Sequence, residues 1–265
     1  MKKIYLLILL ILFFSITLSG CTNPVTTDYF SKEVTPIEQS VLHVKTINGN
    51  LELSAWDENN ITIDGVKKSR FGQEELDKIN IDINNLNDII QIETKYTGKR
   101  LSTPSVDMNI KIPSFITVEE LTTSNGAIQL SGLHGNISAI SSNGAIIIDD
   151  VDGYVTAETS NGKIEVTGTN GISDLLTSNG EILAEINHIS RNITILTSNG
   201  RINLYINQSI DADVDIQTSN GNININGLTL NLTSSNSKHM IGKLGNGGKL
   251  ILVQTSNGNI NINKI

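Results

Sequence analysis

Acidic residues and histidines are the side chains of this sequence whose types and spacing could support catalysis or metal binding. The acids in question are Asp149, Asp150 and Asp152 at one bend, Glu165, Glu181 and Glu185 further on, and the alternating Asp211, Asp213 and Asp215; the histidines are His43, His134, His188 and His239. Cleavage of a polysaccharide needs two carboxylates at a defined separation, and a zinc site needs clustered ligands. None of these residues recurs in such an arrangement. The sequence therefore predicts no catalytic residue, no metal and no cofactor, and an envelope polysaccharide-processing enzyme is kept as the alternative hypothesis.

A repeated tetrapeptide, Thr-Ser-Asn-Gly, provides the framework that would position any such residue. Copies begin at positions 123, 141 (with Ser first), 159, 177, 197, 218 and 255, and an earlier copy, Thr46-Ile47-Asn48-Gly49, has Ile in place of Ser. We expect the Asn-Gly pairs to form a structural turn ladder; they are Asn48-Gly49, Asn125-Gly126, Asn143-Gly144, Asn161-Gly162, Asn179-Gly180, Asn199-Gly200, Asn220-Gly221 and Asn257-Gly258. A short fixed period indicates stacked, near-identical units.

Each copy lies between two short runs of alternating apolar residues. Val155-x-Ala157 precedes one copy and Ile164-x-Val166 follows it, and alternation with a period of two is typical of strands with one buried face. Asn-Gly readily adopts positive φ at a tight turn. Each period therefore predicts a strand, an Asn-Gly corner, a second strand and a second bend.

Two pairings of these strands are open. Asn-Gly between alternating runs also predicts hairpins and an antiparallel meander, whereas identical residues stack in register only if each unit lies on the previous one. We favour the second arrangement: an all-β, parallel β-solenoid (a single-stranded β-helix) of short coils of about 18 residues that rise by about 4.8 Å each.

The parity of the repeat assigns a direction to each corner side chain. Val155, Ala157 and Thr159 fall on one face, so the Thr should point inward, the Ser outward, and the Asn should stack as an amide ladder. Calcium-binding repeats need Asp at the corner, and an ice-binding array needs outward Thr. Neither fits, and the corner is interpreted as structural.

The N-terminus has the pattern of an export signal. Two lysines, Lys2 and Lys3, precede an apolar run over residues 4–14, and Leu18-Ser19-Gly20-Cys21 follows. The run is too short to predict a retained membrane-spanning helix. Its ending resembles the lipobox of prokaryotic lipoproteins. That resemblance implies removal of residues 1–20, lipidation of Cys21, and anchoring of the exported chain at the outer face of the cell membrane.

Composition excludes several classes of protein. Cys21 is the only cysteine, so no disulfide framework or cysteine zinc site can form. Removing Lys2 and Lys3 from 19 basic residues leaves 17 against 27 acidic residues, a net charge of −10 with His neutral. A chain this acidic is not expected to bind nucleic acid.

The chain divides into four predicted segments: the signal peptide (1–20), a lipidated polar tether (21–40), an N-terminal coil and capping region (41–120) and the repeat solenoid (121–265). The capping region contains one short predicted helix over 73–79 and unequally spaced strands. These form either longer coils with an inserted helix or a small sheet packed on the first coils. At the other end, 228–248 is predicted to be an irregular coil.

The last residues, 259–265, alternate like a strand and have no following cap. An unpaired strand at the end of a solenoid is a pairing edge. We therefore expect possible self-association through the C-terminal rung, which would be lost if Ile262 were replaced by Lys.

Several motifs in a fixed order resemble a prokaryotic family of β-strand-repeat domains of unknown function, often labelled "putative adhesin". The likeness covers residues 41–265. The residues that carry it are Val44 and Thr46 to Leu53 around Asn48-Gly49, Trp56-Asp57, Ile110-Lys111-Ile112-Pro113, the Thr-Ser-Asn-Gly-x-Ile series and the Gly-rich 245–248. The resemblance implies an extracytoplasmic β-solenoid and transfers no catalytic residue.

These observations favour a lipid-anchored surface protein that acts by non-covalent binding as an adhesin, a scaffold or an envelope-sensing partner. Its partner would be an envelope protein or a glycan, as yet unidentified. The outward positions are mostly polar with few aromatics, which favours extended polar contacts over a hydrophobic hot spot.

Overall fold

The computed structural model describes residues 24–99 and 104–265. The predicted export signal and Cys21 lie outside the described residues. The elements of the first half are β1 (Thr26–Val34), β2 (Val41–Lys45), β3 (Leu51–Trp56), β4 (Ile61–Ser69), α1 (Gln73–Leu76), β5 (Ile79–Leu86), β6 (Ile89–Tyr96), β7 (Ser105–Pro113), β8 (Thr117–Thr123), β9 (Ile128–His134) and β10 (Ile137–Ser141).

The second half continues the same pattern. Its elements are β11 (Ile146–Thr159), β12 (Ile164–Thr177), β13 (Ile182–Ile186), β14 (Ile193–Asn199), β15 (Ile202–Ile206), β16 (Ala212–Asn220), β17 (Ile223–Asn226), β18 (Asn231–Ser235), β19 (His239–Leu244), β20 (Lys249–Asn257) and β21 (Ile260–Lys264). Strands β11 and β12 are long because each runs through the second bend into the next coil.

The coils stack in parallel, which confirms the all-β solenoid and excludes the antiparallel meander for the repeats. Ile146, Ile164, Ile182 and Ile202 occupy equivalent positions on successive coils, and all four are fully buried. Each such side chain contributes about 1.5–3 kcal/mol through burial. The alternation seen in the sequence therefore becomes continuous apolar columns in the core.

The corners divide the solenoid into two faces. The leading face holds the strands that precede a corner, in the order β5-β6-β2-β8-β10-β11-β12-β14-β20-β16-β19-β18. The trailing face holds the strands that follow a corner, in the order β1-β4-β7-β3-β9-β11-β12-β13-β15-β21-β17. Both faces enclose one shared core.

At both ends the spatial order of the coils departs from their order in the chain. The coil made by β2 and β3 lies between the β6–β7 coil and the β8–β9 coil. Likewise, the coil made by β20 and β21 lies between the β14–β15 coil and the β16–β17 coil. At each end, therefore, the coil that is adjacent to the repeats in sequence lies further from them in space. This coil is β6–β7 at the N-terminal end and β16–β17 at the C-terminal end.

This order corrects the expectation of an unprotected C-terminal rung. Strand β21 pairs with β15 on one side and with β17 on the other, so the last strand is internal and is no pairing edge. Ile262 is buried, and replacing it with Lys would disrupt the core instead of testing association. The proposed self-association through this strand therefore loses its physical basis.

Antiparallel strands close the two ends. At the C-terminal end β19 pairs with β16, and β18 pairs with β19, so the segment expected to be an irregular coil contains a hairpin that covers the last coil. At the N-terminal end β5 pairs with β6, and β4 lies between β7 and β1. The capping region thus combines both expected forms, an outer coil (β6–β7) and added antiparallel strands.

Two local assignments differ from the sequence prediction. Strand β1 lies inside the segment 21–40 that was expected to be a tether, and it pairs along its whole length with β4. Helix α1 is shorter than predicted because the chain re-enters a strand at Ile79. In the described residues, no helix has the length and apolar character needed to cross a membrane.

Candidate binding face

The corner threonines hold adjacent coils together from inside the core. Thr159 donates a hydrogen bond from Oγ1 to the carbonyl oxygen of Gly144 at 3.0 Å, and Ser141 does the same to Gly126 at 2.9 Å. The same bond recurs at the other corners, from Thr123, Thr177, Thr197, Thr218 and Thr255. An inward hydroxyl therefore satisfies a glycine carbonyl of the adjacent coil at these seven corners, and the outward Ser leaves the turn exposed.

The corner glycines are needed for a reason that differs from the expected one. Positive φ is found only at Gly49 among the eight corner glycines, all of which are described. Instead, a Cβ added at Gly162 would lie 2.0 Å from the carbonyl oxygen of Gly144, and one at Gly180 would lie 1.8 Å from that of Gly162. The coils approach too closely at the corner for any side chain.

The corner asparagines form one continuous amide ladder. Asn143 donates from Nδ2 to Oδ1 of Asn125 at 2.6 Å, and Asn161 donates to Asn143 at 2.7 Å. The complete order along the solenoid is Asn48, Asn125, Asn143, Asn161, Asn179, Asn199, Asn257 and Asn220. Because each amide bonds to the next, the ladder links successive coils along the corner edge of the solenoid.

Three of the acidic residues considered for catalysis are each engaged by a neighbouring donor. Asp149 accepts a hydrogen bond from Thr167 at 2.7 Å, and Glu165 pairs with Lys163 at 2.9 Å. The backbone N–H and the side-chain amide of Asn246 both donate to Asp211. These bonds, the backbone bond first, hold the pKa of that carboxyl below its usual value, and they fasten the Gly-rich turn of the C-terminal cap.

The histidines are equally dispersed. His43 lies 3.2 Å from Glu119, His239 lies 2.8 Å from Asp215, and His134 lies 3.5 Å from Asp152, while His188 is exposed at another bend. Across residues 24–99 and 104–265, no group of three or more His, Cys, Asp or Glu side chains has metal-binding geometry. Each of these three contacts is a single link between neighbouring strands.

The trailing face carries one uninterrupted row of outward side chains across all eleven of its strands. We call this row the trailing column. Its members, in spatial order, are Ser31, Asp64, Asn109, Glu52, Gln129, Ile147, Glu165, Leu183, Asn203, Asn261 and Asn224. Eight of these eleven side chains carry a carboxylate or a carboxamide. Ten steps of about 4.8 Å give the column a length of about 48 Å.

The two ends of the trailing column differ in chemistry. At the C-terminal end the amides bond to one another, from Asn224 to Asn261 at 2.9 Å and from Asn261 to Asn203 at 2.8 Å. At the N-terminal end, by contrast, Asp64, Asn109 and Glu52 make no side-chain hydrogen bond within the described residues. The side chains at the C-terminal end of the column therefore bond to one another, whereas those at the N-terminal end are available to a ligand.

The leading face has a different outward surface. Leu176 and Leu196 are paired neighbours on it, and Leu252 follows on the next strand; all three are partly exposed. These leucines and Ile140, which is also outward and partly exposed on this face, are apolar positions among mostly polar outward side chains. The two faces of the solenoid can thus be distinguished by substitution.

A groove lies where the trailing column reaches the N-terminal cap. Its volume is about 680 Å³, and its lining includes Tyr29, Asn50, Glu52, Asp64 and Asn109. The sequence did not predict this groove, because Tyr29 lies in the segment that was expected to be a tether. The available signal was the aromatic pair Tyr29-Phe30 in an otherwise polar segment, since Phe30 packs over Gly65 on β4.

The fold and the polar face define a class: an all-β solenoid with a flat, extended face. Within that class, the model of the Toastrack DUF4097 family matches residues 25–263. The chain belongs to this family, whose function is unknown, and the resemblance stated from the sequence is confirmed. A search of the curated proteins found no match.

Several solved structures match most of this chain at low sequence identity and with TM-scores below 0.5. One is described as a putative cell adhesion protein from Clostridium sporogenes, at 16% identity, with 91% of this chain and 100% of that chain covered and a TM-score of 0.43. A putative adhesin from Bacteroides fragilis is 13% identical over 90% and 97% of the two chains, with a TM-score of 0.34. A putative lipid binding protein from Parabacteroides distasonis is 15% identical over the same shares, with a TM-score of 0.35.

Proposed function

We propose that this chain is a lipid-anchored envelope protein that binds its partner non-covalently through the trailing face and performs no catalysis. The observation that carries the proposal is the trailing column, a row about 48 Å long in which eight of the eleven outward side chains carry a carboxylate or a carboxamide. A rigid row of this length suits an extended partner at the cell surface, either an envelope protein or a glycan. Adhesion, scaffolding and envelope sensing all use this same property.

The rigidity of the face supports this function. Backbone pairing on both sides of each inner strand, parallel in the repeats and antiparallel around β4, fixes the spacing of the outward side chains together with the corner bonds. A binding surface that is already ordered loses little conformational entropy on association. Weak polar contacts repeated along the column can therefore sum to useful affinity.

The distribution of acids supports binding over hydrolysis. Glycoside hydrolysis needs two carboxyl groups about 5–10 Å apart with one of them kept protonated. Asp149 accepts a hydrogen bond from Thr167, Glu165 pairs with Lys163, and Asp211 accepts from Asn246, so a donor engages each of these acids. The two carboxylates of the trailing column that are unpaired within the described residues, Asp64 and Glu52, lie two strand spacings apart, and the polysaccharide-processing alternative is therefore kept as an outcome of the binding test.

The anchor is the second part of the proposal. We infer that Cys21 is acylated after removal of residues 1–20, which places the solenoid at the outer face of the cell membrane. Cys21→Ser should abolish incorporation of a palmitate analogue and move the chain from the membrane fraction to the soluble one. Unchanged labelling in Cys21→Ser would contradict lipidation at this residue. One acyl chain binds a membrane only marginally, so we expect more than one on Cys21.

The binding function is tested by exposing the purified, immobilised chain (residues 22–265) separately to envelope proteins and to envelope polysaccharides, with mass spectrometry of the retained material. Saturable retention of an intact protein or glycan is the expected result. Shortened glycan would restore the enzyme hypothesis. Retention of neither would contradict the binding function.

A further inference from the structure

The groove at the N-terminal end of the trailing column has the size of a ligand site. Its volume of about 680 Å³ falls within the range of about 300–1,000 Å³ that is usual for small-molecule sites. Four adjacent strands form it, because β1, β4, β7 and β3 are neighbours on the trailing face. A regular sheet thus positions its lining side chains.

One wall of the groove is held by structural bonds. Asp107 pairs with Lys68 and accepts a hydrogen bond from the backbone N–H of Asn50 at 2.8 Å. Both carboxylate oxygens of Asp107 and the charge of Lys68 are thereby engaged. These groups shape the groove and leave its recognition chemistry to other residues.

Three polar side chains next to that wall are available to a ligand. Asp64, Asn109 and Glu52 are direct cross-strand neighbours in the trailing column, so they lie about 5 Å apart. Within residues 24–99 and 104–265, no hydrogen bond or ion pair engages their side-chain oxygens or amide. Together they offer two carboxylate acceptors and one amide that both donates and accepts.

An aromatic ring borders the same groove. Tyr29 is 78% exposed although it lies on a paired strand, where its register partner is Val66. Val66 is itself partly exposed. An exposed ring beside a small apolar residue offers a flat surface with a negative π face, against which the C–H groups of a sugar ring can stack.

We propose that this groove binds a segment of a neutral glycan chain, with a sugar ring stacked on Tyr29 and its hydroxyl groups bonded to Asp64, Asn109 and Glu52. Hydroxyl groups match this set because each can donate to a carboxylate and accept from an amide. The rest of the glycan would extend along the trailing column. The inference rests on the proposed binding function and names its ligand class.

Charge argues against an anionic glycan in this groove. Glu52 and Asp64 contribute two negative charges, and among the described residues the one lysine bonded to a lining residue, Lys68, is already paired with Asp107. Phosphate or uronate groups would be repelled by the carboxylates. A neutral chain avoids this repulsion and retains the hydroxyl contacts.

The test is titration calorimetry of the purified chain with neutral hexasaccharides of glucose, mannose and N-acetylglucosamine, and with hexagalacturonate as the anionic probe. We expect binding of at least one neutral probe, with affinity reduced about tenfold in Tyr29→Ala and also reduced in Asp64→Ala. Tyr205→Ala is the matched control, because Tyr205 is also an exposed tyrosine on the trailing face but lies on β15, far from the groove. Its affinity should stay within about twofold of the unmodified chain.

Several outcomes would overturn this inference. They are the absence of binding to all three neutral probes, binding of hexagalacturonate as strong as that of the neutral ones, and an unchanged affinity in Tyr29→Ala. Thermal unfolding of each variant separates loss of binding from loss of fold. If the immobilised chain still retains an envelope component while these titrations fail, the binding function stands and only the glycan groove is refuted.

Discussion

Asn161 donates a hydrogen bond from Nδ2 to Oδ1 of Asn143 at 2.7 Å, from one coil to the next. Asn161 in turn accepts the equivalent bond from Asn179 at 2.9 Å. Each inner asparagine therefore links two neighbours, and the ladder works as a chain of side-chain bonds parallel to the solenoid axis. The terminal members of the ladder have fewer links.

Removing an inner amide should cost more stability than removing a terminal one. Asn161→Ala loses two ladder bonds, whereas Asn220→Ala loses only the bond to Asn257. Both side chains are exposed, so we expect losses of about 1 and 0.5 kcal/mol in the free energy of unfolding. Urea denaturation measures both. Equal losses would show that the ladder bonds do not contribute individually.

The hydroxyl group of the inward corner threonine should contribute to stability, whereas its methyl group should not. Thr159→Val leaves the partly buried carbonyl of Gly144 without this donor, and we expect a loss of about 1 kcal/mol. Thr159→Ser is the control, since Ser141 makes the same bond at its own corner. The idea fails if urea denaturation finds the serine variant as unstable as the valine variant.

The close approach of the corners predicts a steric penalty at glycine. Gly162→Ala places a Cβ 2.0 Å from the carbonyl oxygen of Gly144, so adjacent coils must separate. We expect a loss of about 3 kcal/mol. Ser160→Ala, two residues away on the exposed side of the same corner, should change stability by less than about 0.5 kcal/mol. An alanine at 162 that unfolds at the same urea concentration as the unmodified chain would contradict the stacking geometry.

One buried hydroxyl in the described residues predicts the opposite effect. Thr169 is buried, and its Oγ1 has no hydrogen-bond partner. Thr169→Val keeps the shape and removes the unpaired group, so the chain should gain about 1 kcal/mol. The same Thr→Val substitution is thus expected to lower the free energy of unfolding at position 159 and to raise it at position 169. A loss of stability at 169, measured by thermal or urea unfolding, would mean that the hydroxyl is satisfied in solution.

The repetitive part of the fold could be predicted from the sequence because local and global signals agree there. Alternating apolar residues around Asn161-Gly162 define the buried face, and the parity of Thr159 gives its inward direction. The purpose of the glycine was misjudged. Its steric role depends on the distance between coils, which a single repeat does not contain.

The ends could not be predicted, since their order depends on contacts that are distant in sequence. Strand β1 is polar and reads as a linker until it is seen that Phe30 covers Gly65. Insertion of β21 between β15 and β17 leaves no local pattern either, because its residues alternate like those of any other coil. The groove beside Tyr29 was missed for the same reason.

The most direct test of the account is whether envelope material binds to the trailing face. Leu183 lies outward in the trailing column, and Leu196 lies outward on the leading face; both are partly exposed, so Lys should be tolerated at either position. Retention of envelope material by the immobilised chain should fall about tenfold in Leu183→Lys and stay unchanged in Leu196→Lys. Full retention by Leu183→Lys together with loss in Leu196→Lys would place binding on the leading face and contradict the account.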